Sequence, residues 1–338
     1  MSASAPARPP LEAPRGDSRR GVPWSGATDV LRGVLADALT AAGVPFAGLD
    51  PLRPSGQVWR AHGAGDAWVV RVATASEVPA LEATLVWAAE LAERGVAVPR
   101  PWAPEGAPPR LVRMGTSAAL VTSWAKGAPI AESGWDEATS EALGVLLGDA
   151  HAAATAMPWP SGARRYDGAW AEGAWNRLAI ERVLPDVPGR EAMVVRAGLT
   201  AARVALERAW HGGPGGPIVM VHGDVHAHNV LETARVGDDV ALALIDVGQV
   251  GLAPVLLDLA FALLEHADPT AWALWRGYRT RRAVPPDAEA ALGAMHVLAL
   301  VDNLGFLAAD EREHAFVGEA WPALVTSCAA LLSGARAA

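Results

Sequence analysis

A chain of 338 residues, 51% hydrophobic and 19% charged, has the make-up of a globular protein and length enough for one large domain or two lobes. Its net charge of -9 gives no electrostatic footprint for nucleic acid. Its single cysteine, Cys328, excludes an internal disulfide framework or a thiolate cluster.

Residues 1–24 are rich in Ala, Pro, Ser and Arg without periodicity, a composition expected to stay disordered. Arg19-Arg20 is followed by no hydrophobic segment, so the pair does not read as a twin-arginine signal. From Ala27 to Ala42, apolar residues recur at Val30, Leu31, Val34, Leu35, Ala38 and Leu39, which is helical spacing with Gly43 as the stop. Two extended runs, 52–60 and 67–73, flank a Gly/Asp turn and predict a β-hairpin. Arg71 lies between Val70 and Val72, so it points to the face opposite them. Residues 77–94 read as a helix ended by Gly95, and strands are expected near 110–114 and 118–122. Gly and Pro break the pattern over 123–129, the expected join between a small lobe (25–122) and a larger helical one (123–338).

Beyond that join, helices are predicted at 135–156, 169–184, 191–211, 258–267, 270–280, 287–309 and 311–333. No apolar run approaches ~18 residues, so a membrane span is not expected and a cytoplasmic location is.

The chemistry concentrates between two apolar runs, 217–221 and 240–245. Between them stands Val221-His-Gly-Asp-Val-His-Ala-His-Asn-Val-Leu231, and the second run ends in Asp246-Val-Gly248. Asp224 follows a buried strand and Gly223, so a sharp turn can expose it to receive or orient a hydroxyl proton; the plain alternative is a turn-capping Asp. Asn229 offers a neutral oxygen and Asp246 a charged one, a hard donor set suited to Mg²⁺ beside phosphate and water. Gly237-Asp-Asp239 signals a hairpin that returns the second strand antiparallel and brings Asp246 back beside Asn229. Phosphoryl transfer from a metal–nucleotide needs this set.

A competing reading uses His222, Asp224, His226 and His228, whose alternation on a strand would make a transition-metal site. The simpler role of His226 and His228 is to orient the loop by hydrogen bonds to backbone or Asp246. Arg71 with Glu82 forms a second constellation, a phosphate clamp held by a helix carboxylate, with Glu77 and Glu90 competing for the partner role and a surface ion pair as the bland alternative.

These residues carry a resemblance. His222-Gly-Asp-Val-His-Ala-His-Asn229-Val-Leu, then Ile245-Asp-Val-Gly248, then Pro254 and Asp258-Leu-Ala260, resembles in order and spacing the signature of the aminoglycoside phosphotransferase and choline kinase-like family. The resemblance spans about residues 27–325 and is strongest at 217–262. It implies an α+β, bilobal, protein-kinase-like fold: a small antiparallel sheet with one helix, then a mainly helical lobe. It implies Asp224 as the catalytic Asp, Asn229 and Asp246 as Mg²⁺ ligands, and ATP or GTP as donor. Ser55-Gly56-Gln57 would cover the phosphates. Arg71 falls where the family has Lys or Arg, with Glu82 as its partner. Val121, Thr122 and Ser123, within 120–124, would hold the purine through backbone groups. Asp258 would steady the catalytic loop, as would His222 and His226. The chain departs from the family at Ala227-His228, commonly Pro-Gly, and at Val247, often aromatic. Asp-Phe-Gly and Ala-Pro-Glu are absent, which argues against a protein kinase.

The motif does not specify the acceptor; the resemblance implies a small-molecule hydroxyl bound by the helical part, with Glu265, Asp302 and Trp175 as candidate contacts. Fourteen tryptophans serve mostly packing, with stacking on an acceptor as the functional alternative. An antibiotic kinase, a kinase of a sugar, amino alcohol or amino acid, and a nucleotide-binding pseudokinase all fit the motif.

Overall fold

The computed structural model describes residues 26–52, 57–63, 65, 67–284 and 288–334. Helix α1 (Gly26–Ala42) leads to β1 (Gly48–Pro51), β2 (Val58–His62) and β3 (Ala67–Ala73), then α2 (Val78–Glu93), β4 (Val112–Met114) and β5 (Ser117–Ser123). The five strands form one antiparallel sheet in the order β1-β2-β3-β5-β4. Alternation decides its faces. Trp59, Ala61, Val70 and Val121 point to one side and close a core with Leu35 and Leu39 of α1. Arg71, one residue on from Val70, therefore faces the other side. The start of the predicted hairpin's first strand, with Ser55 and Gly56, lies outside the described residues; β2 itself begins at Val58.

The helix α2 belongs energetically to the larger half. Its Leu81, Trp87 and Leu91 join the principal core, and the Trp87 indole N–H donates to the Met220 carbonyl (3.2 Å).

The chain then runs through β6 (Ala128–Pro129), α3 (Ile130–Ser133), α4 (Glu137–Thr155) and β7 (Arg164–Arg165). Next come α5 (Gly168–Leu178), α6 (Ile180–Val183) and α7 (Gly189–Trp210). One helix was expected over 169–184; Ala179, at φ 43, breaks it in two. Strands β8 (Ile218–Val221), β9 (Val230–Val236), β10 (Asp239–Leu244) and β11 (Gly251–Pro254) carry the site loops. Helices α8 (Leu256–Leu263), α9 (Thr270–Arg281), α10 (Ala288–Leu307) and α11 (His314–Ser333) complete the chain.

Two small sheets sit at the junction: β10-β9-β6, and β7-β11-β8. Helices α4 and α9 pack at backbone distance. A Cβ on Gly144 would lie 2.0 Å from the Leu274 carbonyl oxygen, and one on Gly277 2.0 Å from that of Glu141. The buried α10 is flanked by α5, α7, α8 and α11. The span 311–333 is long and apolar enough to cross a membrane by length and composition, contrary to the expectation from run length. Here it packs Val317, Trp321, Leu324 and Cys328 into the core.

Candidate active site

Strand β8 stops at Val221, and Gly223, at φ 77, turns the chain so that Asp224 leaves the strand. A side chain at Gly223 would strike the Tyr166 hydroxyl (2.2 Å) and the Gln249 carbonyl (2.5 Å), and positive φ favours glycine there in any case. The turn is held from beneath by Asp258, which is 1% exposed. Its Oδ2 accepts the His222 N–H (2.8 Å) and its Oδ1 the Gly223 N–H (2.7 Å). Oδ2 also meets His151 Nε2 at 3.0 Å, and His151 Nδ1 meets the Tyr278 hydroxyl at 3.0 Å. Burial presses the Asp258 carboxyl upward, but His151, the His222 charge and the Gly223 N–H outweigh it and hold it below the usual carboxylate range.

Asn229 closes a short helical turn, and its Nδ2 donates to Asp224 Oδ2 (2.9 Å) and to the Asp224 carbonyl (3.0 Å). The His228 N–H donates to His226 Nδ1 (3.3 Å), which turns His226 Nε2 toward Asp224 Oδ1 at 3.7 Å. Burial would raise the Asp224 carboxyl, yet His226, the charge of His222 and the Asn229 amide bring it below its ordinary value. The converse holds for His226. Burial lowers its pKa, but Asp224, Glu265 and Asp246 together raise it.

Strands β9 and β10 pair antiparallel with Leu244 opposite Val230, across the Gly237-Asp238 turn. The Ile245 N–H donates to the Asn229 carbonyl (2.8 Å), so Asp246 does return beside Asn229. Asp246 adopts left-handed backbone (φ 57, ψ 60), uncommon outside glycine and concentrated at functional turns. Its Oδ1 pairs with Arg71 Nη2, each side chain 25% exposed.

Several sequence expectations are corrected here. Glu82 does not hold Arg71. Helical phase puts it on the solvent side of α2, where it pairs with Arg113 of β4. Glu77 is bound by Thr74 through its N–H (2.9 Å) and hydroxyl (2.7 Å), and Glu90 pairs with Arg94. Two of the backbone groups expected to hold a purine are already engaged. The Val121 carbonyl accepts from the Trp102 N–H (2.8 Å), and the Ser123 N–H donates to the Arg100 carbonyl (2.8 Å). Thr122 pairs with Val69 on the β3 side. The strand-like histidine cluster does not form, because the chain leaves β8 before His222. His222 Nε2 lies on the Ile245 carbonyl (2.9 Å), and among the described residues no three His, Cys, Asp or Glu side chains gather as a metal site.

Of the acceptor candidates, Glu265 borders the catalytic loop, and Asp302 feels the Asp224 charge. Glu265 Oε2 accepts the Ala227 N–H (2.6 Å) and the Trp135 indole N–H (3.3 Å). Asp302 Oδ1 accepts from Trp170 Nε1 (3.1 Å) and Arg177 Nη2 (2.5 Å). Burial raises the Asp302 carboxyl and the Asp224 charge adds to the rise, against the pull of Arg177. Trp175 stands instead under Arg196 of α7, 5.7 Å from its ring. Sequence reasoning missed His151, Tyr278 and Tyr166. A lone histidine on the apolar face of α4, and the chain's only two tyrosines, were the available signals.

A profile of the phosphotransferase enzyme family matches residues 54–299. The chain belongs to this family. Its enzyme class is that of a small-molecule kinase, a phosphotransferase with an alcohol group as acceptor. Solved structures share the fold of this phosphotransferase. A microcompartment-associated aminopropanol kinase superposes with TM-score 0.67 at 21% identity, covering 89% of this chain and 98% of that one. An amicoumacin kinase in complex with AMP-PNP and Ca²⁺ gives 0.64 at 14% identity, covering 89% and 96%. A choline kinase from Streptococcus pneumoniae gives 0.59 at 11%, covering 89% and 99%. No curated protein matches the phosphotransferase sequence significantly.

The donor set fits Mg²⁺. With Nδ2 committed to Asp224, the Asn229 amide oxygen is the atom that could ligate a cation, and Asp246 adds a carboxylate. An amide and a carboxylate oxygen are the hard ligands this ion takes with phosphate and water.

Proposed function

We propose that this phosphotransferase moves the γ-phosphate of ATP to a hydroxyl of a small amine-bearing molecule. Residues 25–122 would form the nucleotide-binding lobe and 123–338 the catalytic and acceptor lobe, working in the cytoplasm. The observation that carries the reading is Asp224. It is an acid held ionised at a turn, with Asn229 bonded to it and Asp246 returned beside Asn229. An ionised carboxylate there orients the acceptor hydroxyl and takes its proton as the phosphoryl group departs. Mg²⁺, held by Asn229 and Asp246, would neutralise charge on the transferring phosphate. Arg71 and Asp246 occupy each other where phosphate and cation belong, so nucleotide binding replaces their pair; the freed guanidinium turns its forked donors to phosphate. Since the Val121 carbonyl and the Ser123 N–H are covered and the Trp124 N–H donates to the Ala67 carbonyl (2.9 Å), the purine contact falls to 125–126 just beyond β5.

Asp224 and Glu265, whose Oε2 takes the Ala227 N–H, make the acceptor side acidic, while Asp302 is already paired with Arg177; an acidic wall favours a cationic alcohol, an aminoglycoside-type antibiotic or an amino alcohol metabolite. ADP release from Mg-ATP, read against a panel of both classes and repeated with GTP, tests this. Asp224→Ala should abolish turnover and leave nucleotide affinity nearly intact. Asp246→Ala should weaken metal-dependent nucleotide binding. Nucleotide binding without ADP release on any acceptor would make the protein a pseudokinase.

A further inference from the structure

The two site loops are joined by a side chain that family signature residues do not include. Strand β11 lies between β7 and β8, with Gly251 opposite both Arg164 and Val221. Chain leaving β8 enters the Asp224 turn, and chain entering β11 comes from the Asp246 turn through 247–249. Just past β7, the Tyr166 N–H donates to the Leu252 carbonyl (2.9 Å), and the Trp210 indole N–H donates to the Tyr166 carbonyl (2.9 Å). That fixes the backbone of Tyr166, while Trp170 packs edge-on against its ring at 4.9 Å. The side chain, in a residue 2% exposed, reaches between the loops. Its hydroxyl lies 2.5 Å from the Gln249 carbonyl and 3.4 Å from the Gly223 carbonyl. Both neighbours are shaped around it: a Cβ on Gly251 would come within 2.9 Å of the ring, and one on Gly223 within 2.2 Å of the hydroxyl.

We propose that Tyr166 is a positioning residue for phosphoryl transfer: its one hydroxyl, seated between the Gln249 and Gly223 carbonyls, sets the distance between the loop presenting Asp224 and the loop presenting Asp246. Alignment of acid, metal ligand and phosphate is most of what such an enzyme contributes, because the transition state is stabilised by placement and charge. Burial pushes the phenol far above its usual range, so the hydroxyl stays a donor at every working pH. The inference rests on the roles proposed for Asp224 and Asp246.

The test is Tyr166→Phe, which keeps the packed ring and removes one oxygen. Transfer to water, followed as ADP release from Mg-ATP, needs no acceptor. We expect kcat to fall about 10-fold, with KM for Mg-ATP changed less than about 2-fold and the apparent Mg²⁺ requirement raised. A folded variant with unchanged kcat overturns the proposal, as does a loss confined to KM or to melting temperature. Should Tyr166→Phe fail to fold, Trp210→Phe removes the donor that fixes the Tyr166 carbonyl; a fall of about 3-fold in kcat supports the proposal and no fall overturns it. Asp224→Ala runs beside them. If it retains full turnover, the underlying assignment fails and the inference with it; if it is dead while Tyr166→Phe is normal, the inference alone fails.

Discussion

Asp258→Asn is the sharpest test of how the catalytic turn is held. The carboxylate carries three contacts on two oxygens: the His222 N–H and His151 on Oδ2, and the Gly223 N–H on Oδ1. Asparagine has the same shape but one acceptor. If its oxygen takes the Oδ2 place, the amide NH2, a donor, faces the Gly223 N–H; if it flips, the amide NH2 faces the His222 N–H and His151 instead. At least one buried bond to a charged acceptor disappears, a backbone N–H is left unpaired, and the remaining bonds lose their charge assistance. Bonds of this kind contribute about 1.5–3 kcal/mol each, so the variant should lose roughly 2–4 kcal/mol. For a chain of this size that is a drop of about 3–6 °C in Tm. The sign with pH follows from the depressed carboxyl. Its contribution is full above the ordinary Asp range and is lost as pH falls through the lower folded value. The gap between wild type and variant, measured by calorimetry across a pH series, should therefore close in acid. Turnover should fall as well, because the tethered N–H groups belong to His222 and Gly223, next to Asp224. A variant that melts and turns over like wild type, or a gap unchanged into acid, would refute the reasoning.

Removing the His226 cation, as in His226→Gln, should let the Asp224 carboxyl rise, moving the acid limb of the kcat/KM profile to higher pH. Because the folded pKa of His226 is raised above 6.5, its contribution to stability is present below that value and lost as pH rises through the folded one. The melting deficit of the variant should accordingly shrink in alkali. Glu82→Gln should leave nucleotide affinity and melting temperature unchanged, since its pair with Arg113 is solvent-exposed (side chains 48% and 56%) and does not involve Arg71; a loss of nucleotide binding in isothermal titration would restore it to the site.

What the sequence determined by itself was local. Helical and strand spacing placed most elements, because backbone sterics impose periods of 3.6 and 2 over a few residues. The antiparallel return of Asp246 toward Asn229 was legible for the same reason: a two-residue Gly237-Asp238 turn starts the pairing at Asp239 and Val236, but the one-residue shift between Ala241 and Leu242 that puts Leu244 opposite Val230 was not. The break at Ala179 was not, for nothing in the apolar pattern across 169–184 marks a left-handed residue.

Tertiary structure decided the partners. Arg71 meets Asp246 across 175 positions, and Glu82 pairs with Arg113 of β4, because the packing of distant elements sets which charges come within reach. The covering of β5 by residues 100–102 closed backbone groups that a linear reading left open. Asp258, His151 and Tyr278 come from three helices, α8, α4 and α9, and Tyr166 from the end of a two-residue strand. Contacts of that range depend on how whole elements pack, and packing is a property of the completed core that no short window of residues contains.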